Sequence, residues 1–266
     1  MRASGSDWPW TKDPVLQSYR FCNIFREDDR TTRYFRETVR EPLRDDPLVM
    51  IATLGWRWFN RIETCGSAKW WTLVGWDRAL AERDFRPIYE SGVPLVTGAY
   101  LIKTPNGMDK LTGILHCMDQ AQGWMRKFHP WDGRPFADTL EEAHTCLTEI
   151  PYLGRFMAYE IVTDLRHTHL LEGAEDILTW ASAGPGACRG VSRVLYGRPD
   201  AVAYGPASGQ QTALSVMREL LAASRERWDW PDRPWEMREV EHTLCEYDKY
   251  RRAQEGGTLK RRYQPS

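Results

Sequence analysis

The strongest structural signal in this sequence is the stretch Leu147-Thr-Glu-Ile-Pro-Tyr-Leu-Gly-Arg-Phe-Met-Ala-Tyr-Glu-Ile-Val-Thr-Asp-Leu165. Pro151 cannot continue a first helix because it lacks an N–H and clashes with the preceding turn. Gly154 is expected to take a positive φ and to let the backbone pass close to another surface. A second helix is expected to start near Arg155, with Phe156 on its apolar side. The pattern predicts a helix-hairpin-helix.

A hairpin of this kind has a physical use in nucleic-acid binding. It aims backbone N–H groups at a phosphate, where the helix dipole favours negative charge. Contacts to a DNA backbone that do not depend on base sequence need such groups. We therefore predict that Pro151, Gly154 and Arg155 contact DNA. The alternative is an ordinary pair of helices joined by a short turn inside an all-α core.

The bulk composition is that of a folded globular protein. The 266 residues are 42% hydrophobic and 27% charged, which excludes a disordered or fibrous chain. The sequence contains no apolar run of the roughly 18 residues that a transmembrane helix needs, and its N-terminus has no apolar core of a signal peptide. We expect a cytoplasmic protein.

The cysteines and charges add little to that picture. The six cysteines include no Cys-x-x-Cys pair, so we expect reduced thiols, no metal and no cofactor. The net charge is −1, yet only seven of the 36 basic residues are lysines. Arginine suits bidentate binding of phosphates, while a GC-rich genome would raise the arginine content without any function.

Apolar periodicity predicts an all-α fold. We expect one helical domain over residues 1–266 with two lobes around a cleft, in which a hairpin region of about residues 136–200 packs on the N- and C-terminal helices. The run at residues 95–103 is the only β-like segment and is equally compatible with a helix end or a loop. Helices are predicted over residues 17–26, 30–40, 48–62, 68–85, 110–127, 136–150, 173–180, 188–195, 209–227 and 235–252.

Three polar constellations carry candidate chemistry. In the first, Asn23, Arg26 and Arg30 recur at spacings of three and four, which places them on one face if the segment is helical. One amide and two guanidiniums suit a ligand that carries phosphate. The alternative is a capping and salt-bridge cluster that uses Asp28 and Asp29.

The second constellation is the carboxylate pair Glu160 and Asp164, one turn apart in the second hairpin helix. In a cleft such a pair can act as a general base and an orienting group. On a solvent-facing side it is only an acidic stripe.

The third constellation lies near the C-terminus. Helical spacing places His242, Glu246 and Lys249 on one face, and Asp248 and Arg251 can pair across a turn. A mixed cluster of acid, base and cation is dense for a surface helix.

Three segments in this order, Tyr19–Arg33, Ile150–Leu165 with Gly184–Gly190, and Glu241–Arg252, resemble the alpha-glutamyl/putrescinyl thymine pyrophosphorylase family. That family shares its helical domain with 5-hydroxymethyluracil DNA kinases of phages. The resemblance implies a helical domain, similar to that of DNA glycosylases, that acts on a modified thymine in DNA.

The resemblance also implies a reaction sequence. A hydroxymethyl group on uracil in DNA is phosphorylated, and the resulting pyrophosphate is displaced by an amine. The chain contains no Gly-x-x-x-x-Gly-Lys-Ser/Thr phosphate-binding loop, so the kinase step is not predicted for this chain.

One departure from helix-hairpin-helix glycosylases bears on the mechanism. Those enzymes carry an aspartate in a turn after the hairpin, whereas the corresponding turn here is predicted at Ala183–Gly190 and has no carboxylate. Glycosylases use such a carboxylate to activate water or to stabilise an oxocarbenium ion. Glycines followed by Arg189 suit an anion such as pyrophosphate better. Asp164 or Asp176 remains an alternative source of the carboxylate.

The leading hypothesis is therefore a DNA-modifying transferase. It would flip a pyrophosphorylated 5-hydroxymethyluracil out of the duplex and replace the pyrophosphate with an amine or amino acid. The predicted catalytic groups are Asp164, Glu160, His242 and Glu246. The predicted pyrophosphate-binding groups are Asn23, Arg26, Arg30, Arg189, Lys249 and Arg251.

Two alternatives stay open. The same scaffold could excise a modified base as a DNA glycosylase, or it could be a non-catalytic DNA-binding component of a modification complex. Lys260, in the basic tail, is expected to contribute only salt-dependent DNA binding.

Overall fold

The predicted all-α class is confirmed. The computed structural model describes residues 11–66, 70–72, 75–98, 101–128, 135–227, 233–259 and 262–263. Within them the α-helices are α1 (Pro14–Ser18), α2 (Arg30–Phe35), α3 (Val49–Phe59), α4 (Ile62–Cys65), α5 (Arg78–Glu90), α6 (Lys110–Phe128), α7 (Leu140–Leu147), α8 (Arg155–Leu165), α9 (Pro185–Tyr196), α10 (Ala207–Arg227) and α11 (Met237–Gln254).

The remaining regular structure is short. Strands β1 (Trp71–Thr72) and β2 (Gly75–Trp76) form one antiparallel ladder in which Trp71 faces Trp76. A π-helical turn at Arg36–Arg40 continues α2, and 3₁₀ turns lie at Arg26–Asp28 and Glu41–Leu43. Among the described residues, no helix combines the length and the apolar character needed to cross a membrane.

The backbone forms two compact units. One contains the described parts of residues 1–26 and 178–266, and the other those of residues 27–177. The prediction of a single domain with two lobes concerns the arrangement of these units and stays a prediction.

Helix α3 is the centre of the unit at residues 27–177, and all of its side chains are buried. The ring of Phe59 stacks on that of Phe85 at a centroid distance of 4.2 Å. The indole of Trp70 donates to the carbonyl of Ala52. A Cβ atom at Gly55 would lie 2.3 Å from that indole, so glycine is required for the close approach of Trp70 to α3.

The helical pair α7–α8 lies in the same unit. Helix α8 starts at Arg155, as predicted, whereas α7 is shorter than the predicted helix at residues 136–150. The side chain of Thr139 caps α7 by accepting from the backbone N–H of Glu142 at 3.1 Å. Asp176 accepts from the N–H groups of Leu140 and Glu141 at the same helix end. In this structure Asp176 thus satisfies donors that a helix N-terminus would otherwise leave open.

Helix α9 packs closely on α11 in the other unit. A Cβ atom at Gly186 would lie 2.4 Å from Sγ of Cys245, and one at Gly190 would lie 2.3 Å from the carbonyl oxygen of Leu244. The prediction of a glycine turn at residues 183–190 is therefore wrong. Pro185 occupies the first helical position, where its missing N–H costs nothing, and the glycines allow close helix packing.

Three other element predictions need correction. The helix expected at residues 17–26 is replaced by α1, because Asp13 caps a helix that has Pro14 at its first position. Residues 173–180, expected to be helical, form turns, and the described residues of 95–103 form a loop without strand pairing. The helix expected at residues 68–85 is divided by the β1–β2 ladder, and α5 follows it.

Candidate nucleic-acid site and charged clusters

The turn between α7 and α8 presents an exposed surface. Pro151, Tyr152, Gly154, Arg155 and Phe156 are all exposed. Gly154 is the N-cap of α8 and has no side chain that could accept from the N–H groups of the first turn. A Cβ atom at Gly154 would meet none of the described atoms within 4 Å. The predicted DNA-contacting residues are therefore grouped on one accessible turn.

Two details of this turn differ from the prediction. The residue with positive φ is Tyr152, at 67°, whereas Gly154 has an extended conformation with a φ of −73°. Because Pro151 holds its own φ near the usual proline value, the left-handed residue of the turn is the one that follows it. Phe156, expected on the apolar side of α8, is 47% exposed.

His144 connects the two helices of the pair. Its Nε2 atom lies 3.0 Å from the carbonyl oxygen of Arg155, so the neutral imidazole donates to it. The ring packs edge-on against Tyr159. Burial lowers the pKa of His144 below its ordinary value, since the charged form is disfavoured away from water.

The lowered pKa of His144 predicts a pH-dependent stability. The unfolded histidine binds a proton more readily than the folded one, so its contribution is present above about pH 6.5 and is lost as the pH falls through the folded pKa. We expect His144→Gln, which keeps a donor for the Arg155 carbonyl, to flatten the fall of the melting temperature between pH 8 and pH 5. Identical slopes for the two proteins would contradict this assignment.

The carboxylates predicted as bases, Glu160 and Asp164, lie in a buried ion cluster. Arg57 of α3 donates from Nε and Nη2 to the two oxygens of Asp164 at 2.5 and 2.7 Å. Its Nη1 donates to Glu160 at 3.0 Å. Asp164 is 0% exposed and Glu160 4%. This burial excludes a solvated acidic stripe, and both carboxylates are bound to Arg57. Their role as bases stays a prediction.

A second buried arginine holds the segment that follows Arg26. Arg40 donates to the two oxygens of Glu27 at 3.1 and 2.7 Å. Arg36, in the same π-helical turn, and His167 also lie within 4 Å of Glu27. The π-helical turn thus directs two guanidiniums at one carboxylate.

The first constellation does not share one helical face. Asn23 lies in a non-helical segment, Arg26 begins a 3₁₀ turn, and Arg30 is the first residue of α2. The helical spacing from which we predicted a common face therefore does not apply. Arg30 is 78% exposed and lies 3.9 Å from Glu63.

On α11 the structure brings Glu246 and Lys249 together. The Oε2 atom of Glu246 accepts from Nζ of Lys249 at 2.7 Å and from the backbone N–H of Cys22 at 3.0 Å. The Lys249 ammonium also lies 4.8 Å from the ring centre of Phe21. His242, predicted on the same face, is half-buried.

Asp248 is the centre of a larger cluster. It is fully buried and accepts from the Nε atoms of Arg189 at 2.8 Å, Arg193 at 3.0 Å and Arg252 at 3.2 Å. Burial alone would raise the pKa of Asp248, but the hydrogen bonds from Arg189 and Arg193 outweigh it and lower the pKa. Arg189, predicted to bind pyrophosphate, is thus bound to a carboxylate in this structure.

The predicted pair of Asp248 with Arg251 is wrong. The residue four positions on, Arg252, makes that contact, while Arg251 lies 3.7 Å from Glu255 and donates to the hydroxyl of Tyr247. Spacings of three and four both bring helical side chains close, and the spacing of four is the one used here.

A carboxylate already lies at the start of α9. Glu241 accepts from the N–H of Gly184 at 3.1 Å. Together with the helical conformation of residues 185–196, this contact removes the basis for an anion-binding glycine turn. Lys260, expected to contact DNA, lies outside the described residues.

Fold and site together define an all-α domain with a helical pair whose turn exposes a cation. Residues 1–258 match the family model for the helical domain of 5-hmdU DNA kinase, and the chain belongs to that family. One relative, a 5-hmdU DNA kinase of Bacillus phage SP10, is 28% identical over 212 residues. The matched region is 72% of this chain and 33% of the relative, so the chain spans about a third of that protein. No solved structure matches the chain.

The comparisons confirm the part of the resemblance that concerns the shared helical domain. Membership of the thymine pyrophosphorylase family itself is not tested by them and stays a prediction.

Proposed function

We propose that this chain acts on 5-hydroxymethyluracil in DNA as part of a base-modifying transferase. The observation that carries the proposal is the family match over residues 1–258. The relative from Bacillus phage SP10 adds support because its name states a substrate of this kind.

The α7–α8 turn is the proposed contact with the DNA backbone. Arg155 is exposed there beside the N-terminus of α8, which has no capping side chain. Backbone N–H groups and a guanidinium both bind phosphate oxygens without reading the base. The target base would have to leave the stack, because its C5 substituent must meet a nucleophile and a binding site for the leaving group at once.

The proposed reaction replaces pyrophosphate with an amine. The amine nitrogen attacks the methylene carbon at C5, the bond from that carbon to oxygen breaks, and pyrophosphate leaves with the bonding electrons. The incoming ammonium first loses a proton to a general base. Cations near the leaving oxygens would stabilise their growing charge.

Geometry ranks the candidate groups for these roles. Glu246 and His242 are the better proposed proton acceptors, because they are half-buried whereas Glu160 and Asp164 are bound to Arg57 in the core. For the leaving group we propose Lys249 and Arg251 of α11 and the motif residues Asn23, Arg26 and Arg30. Arg189 would join them only by giving up its bond to Asp248.

A specific observation favours a second candidate, a non-catalytic recognition domain. The chain matches a third of a kinase and lacks the Gly-x-x-x-x-Gly-Lys-Ser/Thr loop. In this alternative the chain would hold the modified base while another polypeptide carries out the chemistry. Base excision is the third candidate.

Nucleoside mass spectrometry distinguishes these functions. DNA that contains pyrophosphorylated 5-hydroxymethyluracil is incubated with the chain and a panel of amines and amino acids. The transferase predicts a new nucleoside that carries the amine, and Glu246→Gln should abolish it. Abasic sites formed without an amine would instead establish excision. Tight binding with neither product would leave the recognition domain as the function and overturn the transferase.

The contact at the hairpin turn predicts the effect of Arg155→Ala. We expect DNA affinity to fall about 10-fold, because one charged hydrogen bond is lost, and the slope of log affinity against log salt to shrink by about 1. Arg83→Ala, at an arginine that is 71% exposed on α5, is the matched control and should leave both quantities unchanged. Equal effects of the two substitutions would place the DNA elsewhere.

A further inference from the structure

Beside Arg155, the hairpin turn exposes two aromatic rings that no phosphate contact requires. Tyr152 is 45% exposed and Phe156 is 47% exposed. Tyr152 precedes Arg155 by three residues and Phe156 follows it directly, so the cation lies between two accessible rings in the sequence. From α6, the ring of His116 packs edge-on against Tyr152 at 6.1 Å between ring centres.

We propose that Tyr152 and Phe156 form a stacking surface for nucleobases at the step where the target base leaves the helix. Tyr152 would fill the space that the extruded base vacates. The inference rests on the proposed function, since it assumes that the turn binds DNA. It adds a base contact to a turn that was predicted from sequence to contact only phosphates.

The combination of groups at this turn fits a nucleic acid as the occupant. Aromatic side chains stack on any base because every base has a π face. A guanidinium and backbone N–H groups next to the rings provide donors for the phosphates that flank such a base. An apolar protein partner would match the rings but would leave Arg155 and the N–H groups of α8 without acceptors.

The rigidity of Tyr152 suits the proposed role. Its backbone has a φ of 67°, a conformation that glycine and asparagine adopt far more readily than tyrosine. Replacing the residue by glycine therefore removes the ring without straining the turn, so a loss of function in that variant is not explained by misfolding.

The experiment uses a duplex with 5-hydroxymethyluracil and a neighbouring 2-aminopurine, whose fluorescence rises when it is unstacked. The wild-type chain should raise the fluorescence on binding. We expect Tyr152→Gly to remove most of that rise and to weaken binding about 10-fold, while Tyr152→Trp retains both. The melting temperature of Tyr152→Gly should equal or exceed that of the wild type.

The control is Tyr196→Ala, at the end of α9, where the tyrosine is 57% exposed; it should behave like the wild type. If the wild type binds no DNA at all, the proposed function fails. If the wild type binds and raises the fluorescence but Tyr152→Gly does so equally well, the stacking inference alone is wrong. Concentration-dependent dimerisation that Tyr152→Gly abolishes, without an effect on fluorescence, would assign the rings to contact with a second copy and likewise overturn it.

Discussion

Replacing Arg57 with alanine is expected to lower the free energy of unfolding by about 3–5 kcal/mol, because two buried carboxylates would lose their only cation in that cluster. Arg57 is 1% exposed and makes three hydrogen bonds, to Asp164 and Glu160. Without it, the charge of either carboxylate would be left in an apolar interior. Urea or thermal unfolding of the purified variant measures the loss.

The control and the complementary variant make this prediction specific. Arg83→Ala, at the exposed ion pair with Asp84, should change stability by about 0.5 kcal/mol or less. The triple variant Arg57→Met, Glu160→Gln and Asp164→Leu should recover much of the loss, since replacing a whole buried cluster is often close to neutral. A loss for Arg57→Ala no larger than for Arg83→Ala would contradict the buried cluster.

Replacing Asp248 with alanine is the second large effect, also expected to cost about 3–5 kcal/mol. Asp248 is fully buried and accepts from three arginines, and the side chain of Arg193 is only 2% exposed. Removing the carboxylate would leave that guanidinium bound to Glu255 alone among these acids. Melting curves of Asp248→Ala and of the isosteric Asp248→Asn measure the cost.

The pH dependence of Asp248 follows from its lowered pKa. A carboxyl with a lowered folded pKa stabilises the fold above its unfolded pKa of about 3.9, and this stability is lost as the pH falls through the folded pKa. The difference in stability between wild type and Asp248→Asn should therefore be constant from pH 7 to about pH 4 and shrink below that. Asp200→Ala, at an aspartate that is 73% exposed, is the matched control. A constant difference down to pH 2 would contradict the assignment.

Local sequence signals predicted the hairpin region well. Pro151 and the apolar run after it placed the start of α8 at Arg155, as the structure has it. Such signals act through the backbone within one turn, so neighbouring residues are sufficient to see them. The glycines of α9 were misinterpreted because their cause is remote: Gly190 faces the carbonyl of Leu244, and nothing near it in sequence indicates that contact.

The charged clusters show the same limit. The spacing of Glu160 and Asp164 correctly placed both on one helix, but their partner Arg57 is more than 100 positions away in the chain. One signal could have indicated it: Arg57 stands between Trp56 and Trp58 in an apolar run. A cation in a buried helix needs a buried anion, so the run itself called for an acidic partner.

The central claim is that this chain recognises 5-hydroxymethyluracil in DNA, and paired binding measurements test it most directly. Two duplexes of identical sequence, one with thymine and one with 5-hydroxymethyluracil at a single position, are titrated with the chain by fluorescence anisotropy at fixed salt. A hydrogen bond to the added hydroxyl predicts at least about 10-fold tighter binding of the modified duplex. Equal affinity for the two duplexes would contradict the claim.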